Sequence, residues 1–244
     1  MATLTPLPTI PSNGSSDPAR PALSRFDLFD GIPRRDLDLL DARLTLVRWP
    51  READAPATLT RGDHVYVVRQ GRIALSDVTV NGQEVTTTIV EPGAVYSSLG
   101  STTTAPAVAL EASAVTPLPV HAIAALITRY PCFGVNLAVA LTGRLANLRQ
   151  TVGIVSEMRV EDRLRRRLHQ IAEQIGTAAP EGVRIGLDLT HAQWASLIGA
   201  SREAVTTAFG KLRTAGEVVM DGRSITIPWA AMNAADAPMP ALAG

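Results

Sequence analysis

The sequence predicts an α+β protein in which an antiparallel β module comes first, a long helix follows, and a small module of helices and a hairpin comes last. Three observations lead to this prediction. Short runs rich in Val, Ile and Thr lie between Val47 and Val120, and turn residues such as Asn81-Gly82 separate them. From Pro131 onward the apolar residues follow a helical period. Two short amphipathic segments then meet at Gly199.

Composition limits the possible functions before any motif is considered. The 244 residues leave room for two modest domains, and 46% hydrophobic with 19% charged residues is a globular composition. Because the formal net charge is zero, any basic surface for nucleic acid must be local. The single cysteine, Cys132, excludes an internal disulfide, a cysteine-ligated iron–sulfur cluster and a four-cysteine zinc site. Neither a membrane span nor a signal peptide is predicted, so we expect a cytoplasmic protein.

The first half of the chain divides into a leader and a β domain. Residues 1–24 are rich in Pro, Ser and Gly and predict a flexible leader. The domain is predicted over 25–130. It begins with a short helix pair broken at Gly31 and Pro33, and strand-like runs follow. Because such strands recur at regular spacing, they indicate an antiparallel sandwich or barrel.

A single long helix is predicted over 131–158. Its apolar stripe needs a partner, either the core of its own domain or the same stripe of a second copy. The position of the helix between two modules favours the second, so we expect a homodimer. The stripe consists of Val135, Leu137, Leu141, Leu145, Leu148, Val152, Val155 and Met158.

The residues around Gly199 predict a helix-turn-helix. Thr190 and Gln193 have the spacing of a capping box at the start of the first helix. Gly199 permits a tight turn, and Ser201 caps the second helix. Two short helices joined through such a turn form this motif.

A hairpin signal follows the helix-turn-helix. Asp221-Gly222 predicts a two-residue turn between strands at Val218–Met220 and Ser224–Ile227. A helix-turn-helix followed by such a hairpin is a winged helix, which we predict over 159–228. Residues 229–244 are rich in Ala and Pro and predict a flexible tail.

Arg202 and Glu203 begin the second helix of the motif. At this end of a recognition helix an arginine can donate two hydrogen bonds to guanine, and a glutamate can accept one from cytosine. Taken alone, both could equally be polar residues of a first helical turn, with Glu203 stabilised by the helix dipole. The neighbouring helix, the turn and the wing favour DNA readout. The predicted DNA contacts are Thr190, Gln193, Ser201, Arg202, Glu203, Thr206, Thr207, Lys211 and Arg223.

Over roughly residues 25–228 the chain resembles the cyclic-AMP receptor protein and fumarate–nitrate reduction regulator (Crp/Fnr) superfamily of bacterial transcription regulators. "LTHAQWASLIGASREAVTTAFGKL" is similar to the family's helix-turn-helix, with Ser201, Arg202 and Glu203 at its signature positions. "RGDHVYVVRQGRIAL" is similar to the start of its β-roll, and "EPGAVYSSLG" matches the glycine turn before its phosphate-binding cassette. The resemblance implies a cyclic-nucleotide-binding-like β-roll, a dimerisation helix and a winged helix-turn-helix. It also implies double-stranded DNA, a second copy and RNA polymerase as partners, and no membrane.

The sequence departs from the family at two places. In the cyclic-AMP receptor branch a second arginine of the recognition helix stands where this chain has Thr207. The family's cyclic-nucleotide binders resemble one another in having a glutamate in the cassette and an arginine soon after it. In this chain Ser98 stands at the glutamate position, and the region of the arginine reads "TTTAPAVALEASAV". That segment has no basic residue, and a buried phosphate without a cationic partner costs several kcal/mol. We therefore expect no cyclic-nucleotide binding in the family's manner and predict no cofactor and no metal. The candidate effector pocket consists of Ser97, Ser98, Thr102 and Thr103.

The arginines of "RLRRRLHQ" leave two interpretations open. Arg163, Arg165, Arg166 and Arg167 could form a solvated helix face, partly balanced by the neighbouring Glu161 and Asp162. They could equally contact DNA phosphates beside the groove, which would strengthen binding without reading sequence.

The sequence therefore predicts a homodimeric transcription regulator that binds a pseudo-palindromic DNA site and is not controlled by cyclic nucleotide. The alternative is a ligand-sensing or partner-binding β-roll protein whose winged helix is a protein-interaction module. We do not expect an enzyme, because the sequence has no catalytic carboxylate pair, nucleophile elbow, phosphate-binding glycine loop or metal-ligand spacing.

Overall fold

The computed structural model describes residues 21–53, 55–56, 59, 62–78, 82, 84–97, 107–156 and 159–235. These residues form two compact units. The N-terminal unit contains the described residues up to Asp77 together with Thr87–Leu148, and the C-terminal unit contains Val78–Thr86 and the described residues from Arg149 onward. Within this part of the chain, no helix is both long and apolar enough to cross a membrane.

Two β-sheets form the body of the first half of the chain. In one sheet the strands lie in the order β1 (Val47–Trp49), β7 (Ser113–Pro119), β2 (His64–Gln70) and β5 (Val95–Ser97). In the other the order is β4 (Glu84–Val90), β3 (Ile73–Val78) and β6 (Ala107–Ala109). The pairs β1–β7, β2–β7, β2–β5 and β3–β6 are antiparallel. The predicted antiparallel β domain is confirmed.

Strand β2 carries core residues on both of its faces. Val65 and Val67 pack into a cluster with the N-terminal turns and helices, whereas Tyr66 and Val68 pack into a second cluster around Trp49. This division follows from the two-residue period of a strand, because successive side chains point to opposite faces. The sheet is therefore covered on both sides.

Helices flank this β domain at both ends in sequence. Two 3-10 turns, Leu23–Arg25 and Asp27–Phe29, precede α1 (Arg34–Arg43), with Gly31 between them in a left-handed conformation. After β7 come α2 (Val120–Arg129) and α3 (Pro131–Val155). The sequence predicted the break at Gly31 and Pro33, but the first of the two predicted helices is a pair of 3-10 turns.

The end of the predicted flexible leader is packed against the β domain. Leu23 is buried, and the Pro21 carbonyl oxygen accepts hydrogen bonds from the guanidinium group of Arg69. Arg69 is itself buried and pairs with Asp41 at 3.0 Å. The leader prediction is therefore wrong for residues 21–24, because a buried arginine needs this carbonyl as an acceptor. Residues 1–20 of the predicted leader lie outside the described residues.

Helix α3 exposes several large apolar side chains in the single chain. Leu141 and Leu145 are each 51% exposed, Val152 is 63% exposed, and Leu148 between them is half-buried. These four residues follow one another at spacings of four, three and four, the period of a coiled-coil seam. Val135, at the start of the predicted stripe, is also exposed, whereas Leu137 and Val155 are partly buried. Met158 lies outside the described residues.

The second half of the chain combines helices with a small sheet. Helix α4 (Val160–Ile175) is followed by β8 (Thr177–Ala179) and β9 (Gly182–Ile185), and then by α5 (His191–Ile198) and α6 (Arg202–Thr214). Strands β10 (Val219–Asp221) and β11 (Ser224–Pro228) and helix α7 (Trp229–Ala235) complete it. The sheet order is β10-β11-β9-β8, and its pairings are antiparallel. The predicted winged helix is confirmed, and it contains two further strands, β8 and β9, that the sequence did not predict.

The wing hairpin differs by one residue from the sequence prediction. Asp221 pairs with Ser224, so the two loop residues are Gly222 and Arg223 rather than Asp221 and Gly222. Gly222 takes the left-handed conformation with φ of 58°. A two-residue hairpin loop that needs positive φ at its first position places glycine there.

The predicted flexible tail is helical at its start. Trp229 begins α7, and its indole Nε1 donates a hydrogen bond of 3.1 Å to the Ala179 carbonyl oxygen in β8. The prediction is therefore wrong over residues 229–235, because β8 provides a partner for the indole. Residues 236–244 lie outside the described residues.

Candidate nucleic-acid interface

Side-chain caps fix the ends of the two helices of the predicted motif. The Thr190 hydroxyl accepts from the Gln193 backbone N–H at 3.2 Å, and Gln193 Oε1 accepts from the Thr190 N–H at 2.8 Å. α5 ends at Gly199, which is left-handed with φ of 60°. The Ser201 hydroxyl then accepts from the Ala204 N–H at the start of α6. The predicted capping box, turn and N-cap are all confirmed, because each depends on local chemistry.

Aromatic packing orients α6 against α5. The Trp194 ring meets Phe209 edge-on, with ring centroids 5.8 Å apart, and His191 stacks on Phe209 at 5.3 Å. Val205 and Leu212 are buried on the same face of α6. Because this face is occupied, the opposite side of the helix is left to solvent. We call its exposed residues the reading face: Arg202, Glu203, Thr206, Thr207 and Lys211.

Arg202 and Glu203 occupy the first turn of α6, both exposed. Hydrogen bonds from the Glu203 backbone N–H and the Ser201 hydroxyl hold the pKa of the Glu203 carboxyl below its usual range. The carboxylate therefore stays ionised at neutral pH and can only accept hydrogen bonds. A fixed acceptor beside an arginine donor is the combination that can distinguish cytosine and guanine edges in the major groove.

The two threonines of the reading face direct their hydroxyls to their own helix. Thr207 donates to the Glu203 carbonyl at 3.1 Å, and Thr206 donates to the Arg202 carbonyl at 2.9 Å. The Thr206 oxygen also lies 2.8 Å from His191 Nδ1. Since the hydroxyl has one hydrogen, we assign the proton of this contact to Nδ1. Thr206 thus joins the reading face to the start of α5.

Two predicted contact residues form ion pairs in this structure. Lys211 Nζ lies 3.3 Å from Glu161 in α4, and Arg223 lies 3.6 Å from Asp188 before α5. Both basic side chains are more than half exposed, and exposed pairs of this kind contribute only about 0–1 kcal/mol. Both side chains are therefore free to exchange these carboxylates for phosphates at little cost.

A cleft of about 490 Å³ brings Arg202 and Arg223 to one place. It lies between the start of α5, the start of α6 and the wing hairpin. Its lining includes Thr190, His191, Trp194 and Met220. The structure thus places three of the predicted DNA contacts, Thr190, Arg202 and Arg223, around one concave surface. Two arginines and the N-terminal end of a helix favour anions there.

Two arginines of the α4 run, Arg163 and Arg167, serve neither of the two roles that the sequence suggested. Arg163 Nη1 donates to the Ile198 and Gly199 carbonyls at 3.1 and 2.8 Å. Arg167 is buried and donates to the Leu197 carbonyl from Nε and Nη2 at 3.2 and 2.9 Å. These carbonyls end α5, immediately before the turn of the motif.

The other two arginines of the run lie on different faces of α4. Arg165 pairs with Glu217, Asp162 and Glu161, and the carboxylates of Glu217 and Asp162 raise its pKa. Arg166 is exposed. The spacing of four between Arg163 and Arg167 places them on one helix face, and this spacing was the feature of the sequence that could have indicated their shared role. Their acceptors, more than thirty residues away in sequence for Arg163, could not be identified from sequence.

The candidate effector pocket is described at only one of its four residues. The Ser97 hydroxyl donates to the His64 carbonyl at 2.7 Å. Ser98, Thr102 and Thr103 lie outside the described residues. The predicted effector pocket therefore stays a prediction.

Comparisons with known proteins match both halves of the chain. Residues 59–130 match the family model of the cyclic nucleotide-binding domain, and residues 162–231 match that of the Crp-like helix-turn-helix domain. The CRP-like cAMP-activated global transcriptional regulator of Mycobacterium tuberculosis is 27% identical over 210 residues, covering 84% of this chain and 93% of the relative. The global nitrogen regulator of Synechocystis sp. is 25% identical over 171 residues, covering 68% and 76%.

A solved structure supports the same fold. FixK2 from Bradyrhizobium japonicum superposes with a TM-score of 0.66 at 16% sequence identity, covering 81% of this chain and 99% of the other. At this identity the likeness shows the fold alone. The two family models occur in the order that the sequence predicted, and relatives matched over most of their length are transcription regulators. The chain therefore belongs to the Crp/Fnr superfamily of transcription regulators with a helix-turn-helix DNA-binding domain.

Proposed function

We propose that the protein is a sequence-specific DNA-binding transcription regulator that acts as a homodimer on a pseudo-palindromic site without cyclic nucleotide. The observation that carries the proposal is the reading face of α6. Its first turn presents an arginine and an ionised glutamate on a helix whose start is capped and whose opposite face is buried. Such a pair predicts G·C base pairs in each half-site.

The exposed residues of α3 support the homodimer. Leu141, Leu145, Leu148 and Val152 form a continuous apolar seam with coiled-coil spacing. Pairing this seam with its copy in a second chain would remove it from water. A two-fold dimer places its two recognition helices in successive major grooves about 34 Å apart, which requires an inverted repeat.

Independence from cyclic nucleotide is supported by the residues at the family's effector positions. Ser98 stands in place of the cassette glutamate, and the segment from Thr102 to Val115 has no basic residue. Two arginines near the turn from β2 to β3 are already paired with carboxylates: Arg69 with Asp41, and Arg72 with Glu111 and Glu91. Neither of these two guanidinium groups is therefore free to pair with a cyclic phosphate, an anion that requires a cation when it leaves water.

Substitution of the reading-face arginine tests the proposal. Arg202→Ala should remove about 1–3 kcal/mol of base discrimination per half-site, because the bidentate contact to guanine is lost. Binding to a matched duplex and to duplexes substituted at single base pairs is measured by fluorescence anisotropy at several salt concentrations. Affinity of the wild type should fall steeply as salt rises, since neutralised phosphates release counterions.

Arg213→Ala is the matched control. Arg213 is an exposed arginine in the last turn of the same helix. Its loss should weaken binding to all sequences about equally and leave base preference intact. If Arg202→Ala retained the wild-type preference at every position, the assignment of α6 as the reading helix would be wrong. If the wild type bound no duplex, either a missing effector would hold the two winged helices out of register or the winged helix would be a protein-interaction module, and binding without a ligand would be excluded in both cases.

A further inference from the structure

Arg167 is a buried arginine that connects three helices of the C-terminal unit. It lies in α4 and is 5% exposed. Besides its two hydrogen bonds to the Leu197 carbonyl in α5, Nη1 donates to the Thr151 hydroxyl at 3.2 Å. Thr151 belongs to the end of α3, in the segment that is part of the same unit. One guanidinium group therefore bonds the end of α3 and the end of α5.

A second connection to α3 runs beside the first. Arg167 Nη1 also donates to Gln170 Oε1 at 2.8 Å, and Gln170 Nε2 donates to Gln150 Oε1 at 2.8 Å. Gln150 precedes Thr151 in α3. The hydrogen-bonded path thus extends from two consecutive residues of α3, through α4, to the carbonyl that precedes the turn of the helix-turn-helix. The planar guanidinium group holds these partners in fixed directions.

Stability alone does not account for an arginine at this position. The described hydrogen bonds of its side chain all go to neutral acceptors, a carbonyl, a hydroxyl and an amide oxygen. Burial lowers the pKa of Arg167 to about 10, which reflects the cost of holding its charge away from water. Apolar residues of similar volume often stabilise a buried site at least as well as charged ones. What the arginine adds is geometry, because no apolar side chain can bond three helices at once.

We propose that Arg167 is a positioning residue that fixes the helix-turn-helix to the end of α3 and so sets which half-site spacing the dimer accepts. This inference rests on the proposed function, since spacing matters only to a dimer that reads two half-sites. Each added base pair moves a half-site by about 3.4 Å and rotates it by roughly 35° around the DNA axis. A helix-turn-helix held on the dimer helix cannot follow that change, whereas a loosely held one can.

Thr151→Val is the sharpest test of this role. Valine has nearly the same shape as threonine, so the variant removes the hydroxyl acceptor on α3 and leaves the bonds of Arg167 to Leu197 in place. Thr128→Val is the matched control. Among the described contacts, the Thr128 hydroxyl donates only to the Ala124 carbonyl of its own helix, at 2.9 Å. Arg167→Met removes the whole connection, and Arg167→Lys keeps the charge without the planar donor set.

Binding of the full-length variants is measured on three kinds of duplex: the preferred inverted repeat, the same repeat with one base pair inserted or removed, and a single half-site. The affinity of the wild type and of Thr128→Val should fall about tenfold or more when one base pair is inserted or removed. A single mismatched base pair causes a loss of this size. Both Thr151→Val and Arg167→Met should bind the single half-site within about twofold of the wild type. Arg167→Met should lose most of the spacing discrimination, whereas Thr151→Val should lose only part of it, because the path through Gln170 to Gln150 remains. Arg167→Lys should restore little of the discrimination. Thermal unfolding confirms that each variant is folded.

Two outcomes overturn the inference in distinguishable ways. Full spacing discrimination in both folded variants, Thr151→Val and Arg167→Met, shows that Arg167 has no positioning role, and the proposed function stands. If the wild type binds inverted repeats of every spacing equally, or binds no inverted repeat at all, the protein does not recognise two half-sites as a dimer. In that case the proposed function fails together with the inference.

Discussion

Arg163 and Arg167 provide the positive charge that α5 lacks at its own C-terminal end. The last turn of α5 contains no basic residue, and its final carbonyls have no partner within the helix. Two arginines of α4, four residues apart, donate to the carbonyls of Leu197, Ile198 and Gly199. A cation at this end also interacts favourably with the helix dipole. The turn of the motif is therefore stabilised by a neighbouring helix.

Loss of one of these caps should lower the stability of the protein. Arg163→Met removes two charged hydrogen bonds to carbonyls, so we expect the free energy of unfolding to fall by about 1–3 kcal/mol. Urea denaturation followed by circular dichroism measures this. Glu173→Met, at an exposed position of the same helix, is the control and should change stability by less than about 0.5 kcal/mol. Equal effects of both substitutions would show that the hydrogen bonds of Arg163 contribute nothing specific.

At the scale of single elements, α3 is the helix whose exposed surface most requires explanation. Large apolar side chains are rarely left in water as a continuous row. On α3 the row follows coiled-coil spacing over Leu141, Leu145, Leu148 and Val152. The remaining exposed valines, Val135 and Val139, lie on a different side of the helix by its 3.6-residue period. The seam is therefore the expected dimer contact.

A charge placed in this seam should separate the dimer. In Leu145→Glu the two-fold axis would bring two carboxylates together in an apolar contact, which costs several kcal/mol. Sedimentation equilibrium should show a monomer where the wild type is a dimer. Ala146→Glu introduces the same side chain at the next position, which is exposed and outside the seam, and should remain dimeric. A dimeric Leu145→Glu variant would exclude this seam as the interface.

Some helices, turns and strands could be predicted from the sequence, and others could not. The capping box of Thr190 and Gln193 and the turn at Gly199 were predictable because their chemistry is complete within a few residues. β8 was not, since a three-residue strand is too short to show an alternating pattern and exists by pairing with β9. Nor was the start of α7, where Trp229 bonds to Ala179 fifty residues earlier. The elements that the sequence did not predict depend on contacts with other elements.

The candidate site also has some features that the local sequence predicts and others that depend on distant residues. The exposed positions of the reading face followed from the helical period of α6, because Val205, Ala208, Phe209 and Leu212 identify its buried side. The ion pairs of Lys211 and Arg223 did not follow, since Glu161 and Asp188 lie in other elements. The positioning arginines of α4 required the structure for the same reason.

For the whole molecule, a net charge of zero means that attraction to DNA must come from where the charges lie. Arg202 and Arg223 meet in one cleft, and Lys211 lies at the opposite edge of the reading face of α6 from Arg202. Arg165 is neutralised by three carboxylates and cannot contribute in the same way. Binding should therefore depend strongly on salt although the protein as a whole carries no net charge.

We propose above that this protein reads a two-fold DNA site without a ligand. The most direct test is selection of bound duplexes from a random-sequence library, using purified protein with nothing added. We expect an enriched inverted repeat whose half-sites contain G·C pairs and whose centres lie about one helical turn apart. A pool that remains random, or that enriches a single half-site, for a protein that sediments as a dimer would contradict the claim.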